Sequence, residues 1–370
     1  MDRKIYIYQH ENWPNFIWDI RELSDLLAEV RNKQGRLIGK MEALGFDLQN
    51  EAFLETLTAD ILKSNEIEGV VLNKEEVRSS IARRLGINVG GLPPINRNIE
   101  GIVDMMFDAT ISFEKPMTKE RLFDWYYAMF PMGRSGMYEI IVGKWRDDST
   151  GPMQVVSGAM GKEKVHYEAP PAKVIDNEMA TFLNWFNNKT DIDLVLKASV
   201  AHLWFVTLHP FEDGNGRITR AITDMLLARS DGLPQRFYSM SSQIQKERKL
   251  YYDILERTQK GKLDVTEWIY WFLNTLQKAI TNSEDTLTLV IKKHKFWNTY
   301  GTEIKNERQK KILNQLLESF TGNLTTSKWA KITKCSQDTA LRDIQYLIDK
   351  GILIKSNSGG RSTKYELVED

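Results

Sequence analysis

The segment His209-Pro210-Phe211-Glu212-Asp213-Gly214-Asn215-Gly216-Arg217-Ile218-Thr219-Arg220 settles how the rest of this 370-residue chain is read. Residues 200–208 before it are apolar at helical spacing, and Pro210 stops that helix. Ile218, Ile222, Met225 and Leu226 restart the period. Gly214-Asn215-Gly216 therefore falls at the start of a second helix, where unpaired N–H groups and the positive dipole end make an anion site. Two glycines let the backbone approach a phosphate closely, as a nest. Arg217 and Arg220 share a face of that helix and add fixed positive charge over the same anion.

A carboxylate beside an anion site is repulsive unless a cation intervenes, so Asp213 suggests Mg2+ held by one carboxylate and phosphate oxygens. His209, with an ordinary pKa of about 6.5, suits a base working at neutral pH. Phe211 reads as a core anchor that fixes the loop. Each part alone has an ordinary explanation: a packed histidine, a turn at Asp-Gly-Asn-Gly, a solvated pair of arginines. Together, in one loop and helix start, a base, a metal carboxylate, a phosphate nest and two arginines describe phosphoryl or nucleotidyl transfer. His202 reads as a packed helix residue rather than a metal partner of His209, since Pro210 breaks the helix next to His209 and the two need not share a continuous face. Trp125-Tyr126-Tyr127 reads as core rather than a stacking platform.

Working outward, the chain is mainly α. An aromatic opening at Trp13-Pro14-Asn15-Phe16-Ile17-Trp18 precedes a helix through Leu23, Leu26, Leu27 and Val30. Residues 51–67 form an amphipathic helix ended by Gly69, and a looser segment follows, punctuated by Gly90-Gly91-Leu92-Pro93-Pro94. Helical periodicity runs from 98 to 128, and residues 143–171 alternate like a short hairpin closed by Pro170-Pro171. Helices resume at 174–187, 194–207, 217–229, 251–260 and 265–276. The last stretch reads helix-helix-helix-hairpin (307–320, 327–333, 337–350, then strands 352–355 and 363–367 joined through Ser358-Gly359-Gly360-Arg361), the order of a winged helix-turn-helix. Its core would be Ile312, Leu316, Leu317, Ile344, Leu347 and Ile348. The expected division is 1–95, an N-terminal helical module; 96–285, a helical core with a small β-hairpin flap; and 300–370, the winged unit.

Composition narrows the classes. A 42% hydrophobic content with 10 Trp excludes a disordered or fibrous chain. Fifty basic and fifty acidic residues argue against a uniformly nucleic-acid-coating surface, although residues 292–370 carry 15 Lys/Arg against 9 Asp/Glu, a net of +6. Cys335 is the single cysteine, which excludes an internal disulfide and a cysteine metal cluster. No signal-like start and no apolar run of spanning length is seen, so a cytoplasmic location away from membranes is expected, with secretion by an unmarked route open.

The 209–220 segment resembles, position for position, the motif of the Fic (filamentation induced by cAMP) family, His-Pro-Phe-x-Asp-Gly-Asn-Gly-Arg-x-x-Arg. Gly143-Lys144-Trp145-Arg146 and then Val165-His166-Tyr167-Glu168 before Pro170-Pro171 resemble the family's flap hairpin, and Tyr251-Tyr252 with the helix at 268–273 resembles its closing helices. The resemblance covers roughly residues 10–280 and implies a protein adenylyltransferase, moving AMP from ATP to a Ser, Thr or Tyr hydroxyl of a target protein or of the chain itself. It implies His209 as the base, Asp213 as the Mg2+ ligand, and Asn215 with the N–H groups of Gly214 and Gly216 on the α- and β-phosphates. Arg217 would meet the β-phosphate and Arg220 the γ. Tyr252 and Gln259 would border the adenine, and the flap Val165, His166, Tyr167 and Glu168 would align the target by strand pairing. A homodimer is also implied.

Upstream, Ser64-Asn65-Glu66-Ile67-Glu68-Gly69 resembles the inhibitory motif of one subclass, carried on a helix at about residues 51–69. A carboxylate at Glu68 paired with Arg220 removes the partner of the γ-phosphate, because carboxylate and phosphate use the same fork of donors. Ser64 and Gly69 complete the motif. The same glutamate positioning a water would remove AMP from modified targets. In the tail, Lys328, Lys331, Lys334, Arg342 and Arg361 suit DNA phosphates, while Asp338 and Asp343 on the proposed recognition helix oppose them, so DNA binding and protein docking both stay open for this unit. Two classes stay open: an enzyme modifying proteins, and a transcription regulator whose nucleotide-binding body is a sensor. A phosphate-transferring relative carries a bulkier residue at the second nest glycine, so Gly216 favours the adenylate-transferring orientation.

Overall fold

Leu194–Leu208 is apolar on every side, and such a helix is stable only when surrounded. In the computed structural model, which describes residues 6–87, 97–149, 151–158, 162, 164–318, 320, 322–356 and 363–368, residues 195–208 of this helix are all buried. Asp193 caps it by accepting a hydrogen bond from the Val195 N–H at 2.8 Å. The helix packs on Asn215–Asp231, joined to it by the short loop 209–214. Ile218, Ile222, Met225 and Leu226 are fully buried between them, each stabilising the fold by roughly 1.5–3 kcal/mol. Trp268 closes the far side, its indole N–H donating to the Ser199 carbonyl at 2.9 Å.

The chain divides into two compact units, residues 1–284 and 285–370. In the first, the order is α1 (Ile20–Glu42), α2 (Phe46–Ile67), α3 (Lys74–Leu85), α4 (Arg97–Ile111), α5 (Lys119–Met129), β1 (Arg134–Ser135), β2 (Tyr138–Glu139), β3 (Gln154–Ser157), β4 (Lys164–Glu168), α6 (Ala172–Asn187), α7 (Leu194–Leu208), α8 (Asn215–Asp231), α9 (Met240–Lys246) and α10 (Arg248–Gln259). The boundary falls within α11 (Thr266–Tyr300). The mainly helical class with a small hairpin is as the periodicity indicated.

Three local readings are corrected, and two elements are added. Residues 74–85 form a helix instead of a looser segment: Asn73 accepts from the N–H groups of Glu75 and Glu76, and Gly86 ends the helix at φ +68°. Arg78 then ties α3 to Glu51 and Glu55 of α2. The periodic run at 98–128 is two helices, parted near Pro116, with Asn187 bridging the N–H and carbonyl of Met117. The β1–β2 hairpin and α9 were not foreseen, and α11 far outruns 265–276. The loop Gly90-Gly91-Leu92-Pro93-Pro94 lies outside the described residues.

The aromatic opening packs inward. Trp13 donates to Glu178 at 2.9 Å and meets Phe16 and Trp204 edge-on. Trp125 and Tyr126 are core, whereas Tyr127 is 60% exposed.

The second unit holds α12 (Glu307–Glu318), α13 (Thr326–Thr333), α14 (Gln337–Asp349) and the antiparallel pair β5 (Leu353–Lys355) and β6 (Tyr365–Leu367), with Leu324 bridging to Tyr365. Ile312, Leu317, Ile344 and Leu347 are buried as expected, around a fully buried Trp329, while Leu316 and Ile348 are partly buried. Asp343 is 7% exposed and pairs with Arg308 at 2.8 Å, so its charge is answered inside the unit. The turn at Ser358-Gly359-Gly360-Arg361 lies outside the described residues. Among the described residues no helix is long and apolar enough to cross a membrane.

Candidate active site

α7 ends at His209, whose backbone is left-handed (φ +48°) and donates to the Phe205 carbonyl at 3.1 Å. A non-glycine residue takes this conformation only when its surroundings hold it there. Arg146 does much of the holding: its Nε donates to the His209 carbonyl at 2.7 Å, its Nη2 to Pro170, and its backbone N–H to Pro210 at 2.9 Å. Phe211 is fully buried, stacked on Tyr126 with ring centroids 4.3 Å apart and set against Trp145. It is the loop anchor.

The His209 imidazole is half-buried. Its Nδ1 lies 3.2 Å from the Val206 carbonyl; a carbonyl only accepts, so the hydrogen sits on Nδ1 and Nε2 keeps its lone pair. Burial, with Arg146 nearby, lowers the pKa below the usual imidazole value against the opposing pull of Glu68 and Asp213. The ring is therefore neutral at pH 7, with Nε2 ready to take a proton.

At the start of α8, Gly214 adopts φ +74° and Gly216 follows. Arg217 and Arg220 are both buried, 7% and 2% exposed. Two of their nitrogens, Arg217 Nε and Arg220 Nη1, are buried without a hydrogen-bond partner among the described residues. An anion already faces this cradle. Arg220 Nη2 donates to Glu68 Oε1 at 2.8 Å and to the Ser64 carbonyl at 2.8 Å, and its Nε donates to Ser64 Oγ at 2.8 Å. A Cβ on Gly216 would fall 2.1 Å from Glu68 Oε1, so the carboxylate occupies the space beside the glycine. Burial would lower the Arg220 pKa, but the charge and hydrogen bond of Glu68, together with Tyr251 and Tyr252, outweigh it and the net direction is upward. Such a charge-assisted bond is worth about 1.5–3 kcal/mol.

Glu68 is placed there by the end of α2. Gly69, at φ +80°, turns the chain, and the N–H groups of Gly69 and Val70 close on Glu66 and Asn65. The Ile67 carbonyl accepts from Arg248 Nε at 2.7 Å and from the Tyr252 hydroxyl at 3.3 Å. Tyr252 thus borders the site from α10, with the Arg248 guanidinium over its ring.

Asp213 is more exposed than the arginines, at 43% of its side chain, and lies 3.6 Å from Arg217 Nη2. Ser135 Oγ and the Gly214 N–H both donate to its carboxylate. Among the described residues no three His, Cys, Asp or Glu side chains gather into a metal cage. One carboxylate next to an anion cradle is what Mg2+ uses when phosphate and water supply its other ligands, so the residues fit the ion.

Two side chains expected at the nucleotide make contacts within the body. The Asn215 side chain is buried and bridges Phe211, accepting from its N–H at 3.0 Å and donating to its carbonyl at 2.7 Å. It holds the loop, leaving the backbone N–H groups of the helix start to meet a phosphate. Gln259 is 3% exposed and donates to Thr207 Oγ1 at 3.3 Å, which braces α7. In the flap, Tyr167 points into the body, its hydroxyl donating to the Thr207 carbonyl at 2.8 Å, with Tyr6 and Tyr8 against its ring. His166 links Ser157 at 2.6 Å to Glu256 on α10 at 2.7 Å. Val165 faces Val156, and Glu168 accepts from Gln154 at 2.9 Å. His202 is fully buried between Thr223 and Tyr251, and burial lowers its pKa to about 3, a packed and neutral histidine.

Sequence reasoning assigned no role to Arg146, Arg248 or Ser135. The first two act on carbonyls, which every residue has, so no pattern marks these contacts. Arg146→Met should lose about 2–4 kcal/mol of stability in urea unfolding, because the carbonyls of His209 and Pro170 are left without their charged donor.

Comparison with known proteins places residues 6–87 in a domain of unknown function, DUF4172, and residues 116–227 in the Fic/DOC family. A probable protein adenylyltransferase of Aquifex aeolicus is 32% identical over 101 residues, 27% of this chain and 29% of its own length. The match thus spans less than a third of that relative. A Fic family protein from Desulfovibrio desulfuricans G20 superposes with a TM-score of 0.53 at 19% identity, over 94% of this chain and 96% of that one. A Fic domain containing signaling protein from Bacteroides thetaiotaomicron gives 0.52 at 19% identity, over 71% and 97%. At these identities the likeness is one of fold.

Proposed function

We propose that this chain, whose residues 116–227 match the Fic/DOC family, is a protein adenylyltransferase restrained by its own α2. ATP would lie over the start of α8, its phosphates on the backbone N–H groups near Gly214 and Gly216 and on Arg217 and Arg220. His209 Nε2 would take the proton of a target hydroxyl as that oxygen attacks the α-phosphorus, and pyrophosphate would leave. Asp213 would hold Mg2+, which when bound offsets phosphate charge. The β4 strand pairs only with β3 among the described residues, and its other edge would align the target backbone. Anchoring of Tyr167 and His166 to α7 and α10 supports a flap held ready for that pairing.

The observation that carries this reading is the carboxylate of Glu68 against Gly216 and Arg220. It is an anion seated in the cradle by the chain itself, and it competes for the donors that a γ-phosphate would use. Mass spectrometry of a cell lysate incubated with ATP and the Glu68→Gly chain tests the reading. Adenylated peptides are expected, and their absence, or equal amounts with a His209→Ala chain, would sink it.

The brake extends beyond Glu68. Arg248 holds the Ile67 carbonyl, so Arg248→Ala should loosen the end of α2 and raise self-modification by about 3- to 10-fold, the loss of one charge-assisted bond in part. The same change in a Glu68→Gly background should add nothing, measured as label incorporated per minute.

The second unit supports a DNA-docking reading for residues 300–370. Asp343 is paired internally with Arg308, which leaves Arg342 and Lys331 exposed on their helices without its opposing charge.

A further inference from the structure

The β1–β2 hairpin grips both acids of the loop 209–214. It is closed by the Ile140 N–H donating to the Gly133 carbonyl at 2.9 Å and by the pairing of Ser135 with Tyr138. Just beyond it the Ile141 N–H donates to Glu212 Oε2 at 2.7 Å. Within it, Ser135 Oγ donates to Asp213 Oδ2. The hairpin buries little apolar surface, for Met132, Met137 and Tyr138 are 79%, 86% and 70% exposed. Its described ties to the loop are therefore polar ones, to Glu212 and Asp213.

A hydroxyl donor suits a metal-holding carboxylate. It carries no charge, so it does not compete with a cation as a lysine would. It uses one lone pair of Oδ2 and leaves the other, while the Gly214 N–H holds Oδ1. Arg217 Nη2, at 3.6 Å from Oδ2, is the remaining close cation, and in the functional reading above it turns to phosphate. Ser135 is then the side chain that keeps the carboxylate from rotating.

We propose that Ser135 is a positioning residue for the divalent cation, holding the Asp213 carboxylate in the orientation that a cation meets. The proposal rests on the reading of Asp213 as the Mg2+ residue. Outer partners of this kind typically change metal affinity by about 10- to 100-fold.

The test uses the full chain carrying Glu68→Gly and reads binding, not activity. ADP affinity is measured by calorimetry with EDTA and again with saturating Mg2+, and the gain conferred by Mg2+ is the quantity compared. Ser135→Ala should cut that gain by about 10-fold with the affinity in EDTA unchanged, and Ser135→Thr should restore it. Asp213→Ala should abolish the gain. If Asp213→Ala abolishes it while Ser135→Ala leaves it whole, the proposal is overturned. If Asp213→Ala itself keeps the full gain, the assignment of Asp213 to the cation fails first. A Ser135→Ala chain that binds ADP more weakly in EDTA as well would show a structural role only, and would also overturn the proposal.

Discussion

Glu68→Gly should raise ATP-dependent adenylate incorporation, into added protein and into the chain itself, on the order of 10- to 100-fold. The Glu68–Arg220 bond spans 2.8 Å between a guanidinium 3% exposed and a carboxylate 30% exposed. A charge-assisted bond in that setting is worth about 1.5–3 kcal/mol, and each 1.4 kcal/mol is about a factor of ten. Glycine removes the competing anion and frees the Arg220 fork for phosphate, while Ser64 keeps the guanidinium in place through two bonds. Glu68→Gln sharpens the interpretation. It keeps the size and one acceptor but loses the charge, so it should fall between the parent and the glycine form. Initial rates with labelled ATP decide the order, and a glycine form no faster than the parent would remove the brake from the account.

His209→Ala is expected to lower transfer by at least about 100-fold, the lower end of what a positioned general base contributes. ATP affinity should hold, because the cradle at the start of α8 lies on the other side of the loop and Arg146 grips the backbone of residue 209, not its ring. Loss of transfer with loss of binding would mean that the loop had collapsed and that the ring was structural. The pH dependence follows from the direction of the shift. The folded pKa lies below the ordinary value of about 6.5, and the neutral form is the active one. The kcat/KM of the Glu68→Gly form should therefore stay level through neutral pH and fall only as pH drops below that value. A limb centred above pH 7 would contradict a buried neutral base.

The loop 209–214 was legible because its signals are local. Pro210 stops one helix, Gly214 and Gly216 open the next, and the loop geometry follows from residues within a dozen positions of each other. The Glu68–Arg220 contact joins positions 152 apart, and no periodicity reports such a pair; it was visible only through the resemblance of 64–69 to an inhibitory motif. The holding roles of Arg146, quoted only as part of the flap resemblance, and of Arg248 were not legible for a different reason, since their partners are backbone carbonyls. Helix α3 had its signals in plain view in Asn73 and Gly86, but its polar composition carried little hydrophobic period. A motif names residue types and not the directions of their side chains. Asn215 turns back on its own loop, and Gln259 turns into α7.

The most direct measurement is to incubate the Glu68→Gly chain with ATP labelled at the α-phosphate in one reaction and at the γ-phosphate in another, and to follow label retained on protein. Retention of the α-label alone, with pyrophosphate released and both signals absent in the Glu68→Gly, His209→Ala chain, is the predicted result. Retention of the γ-label, or of neither, would contradict adenylate transfer as the reaction of this site.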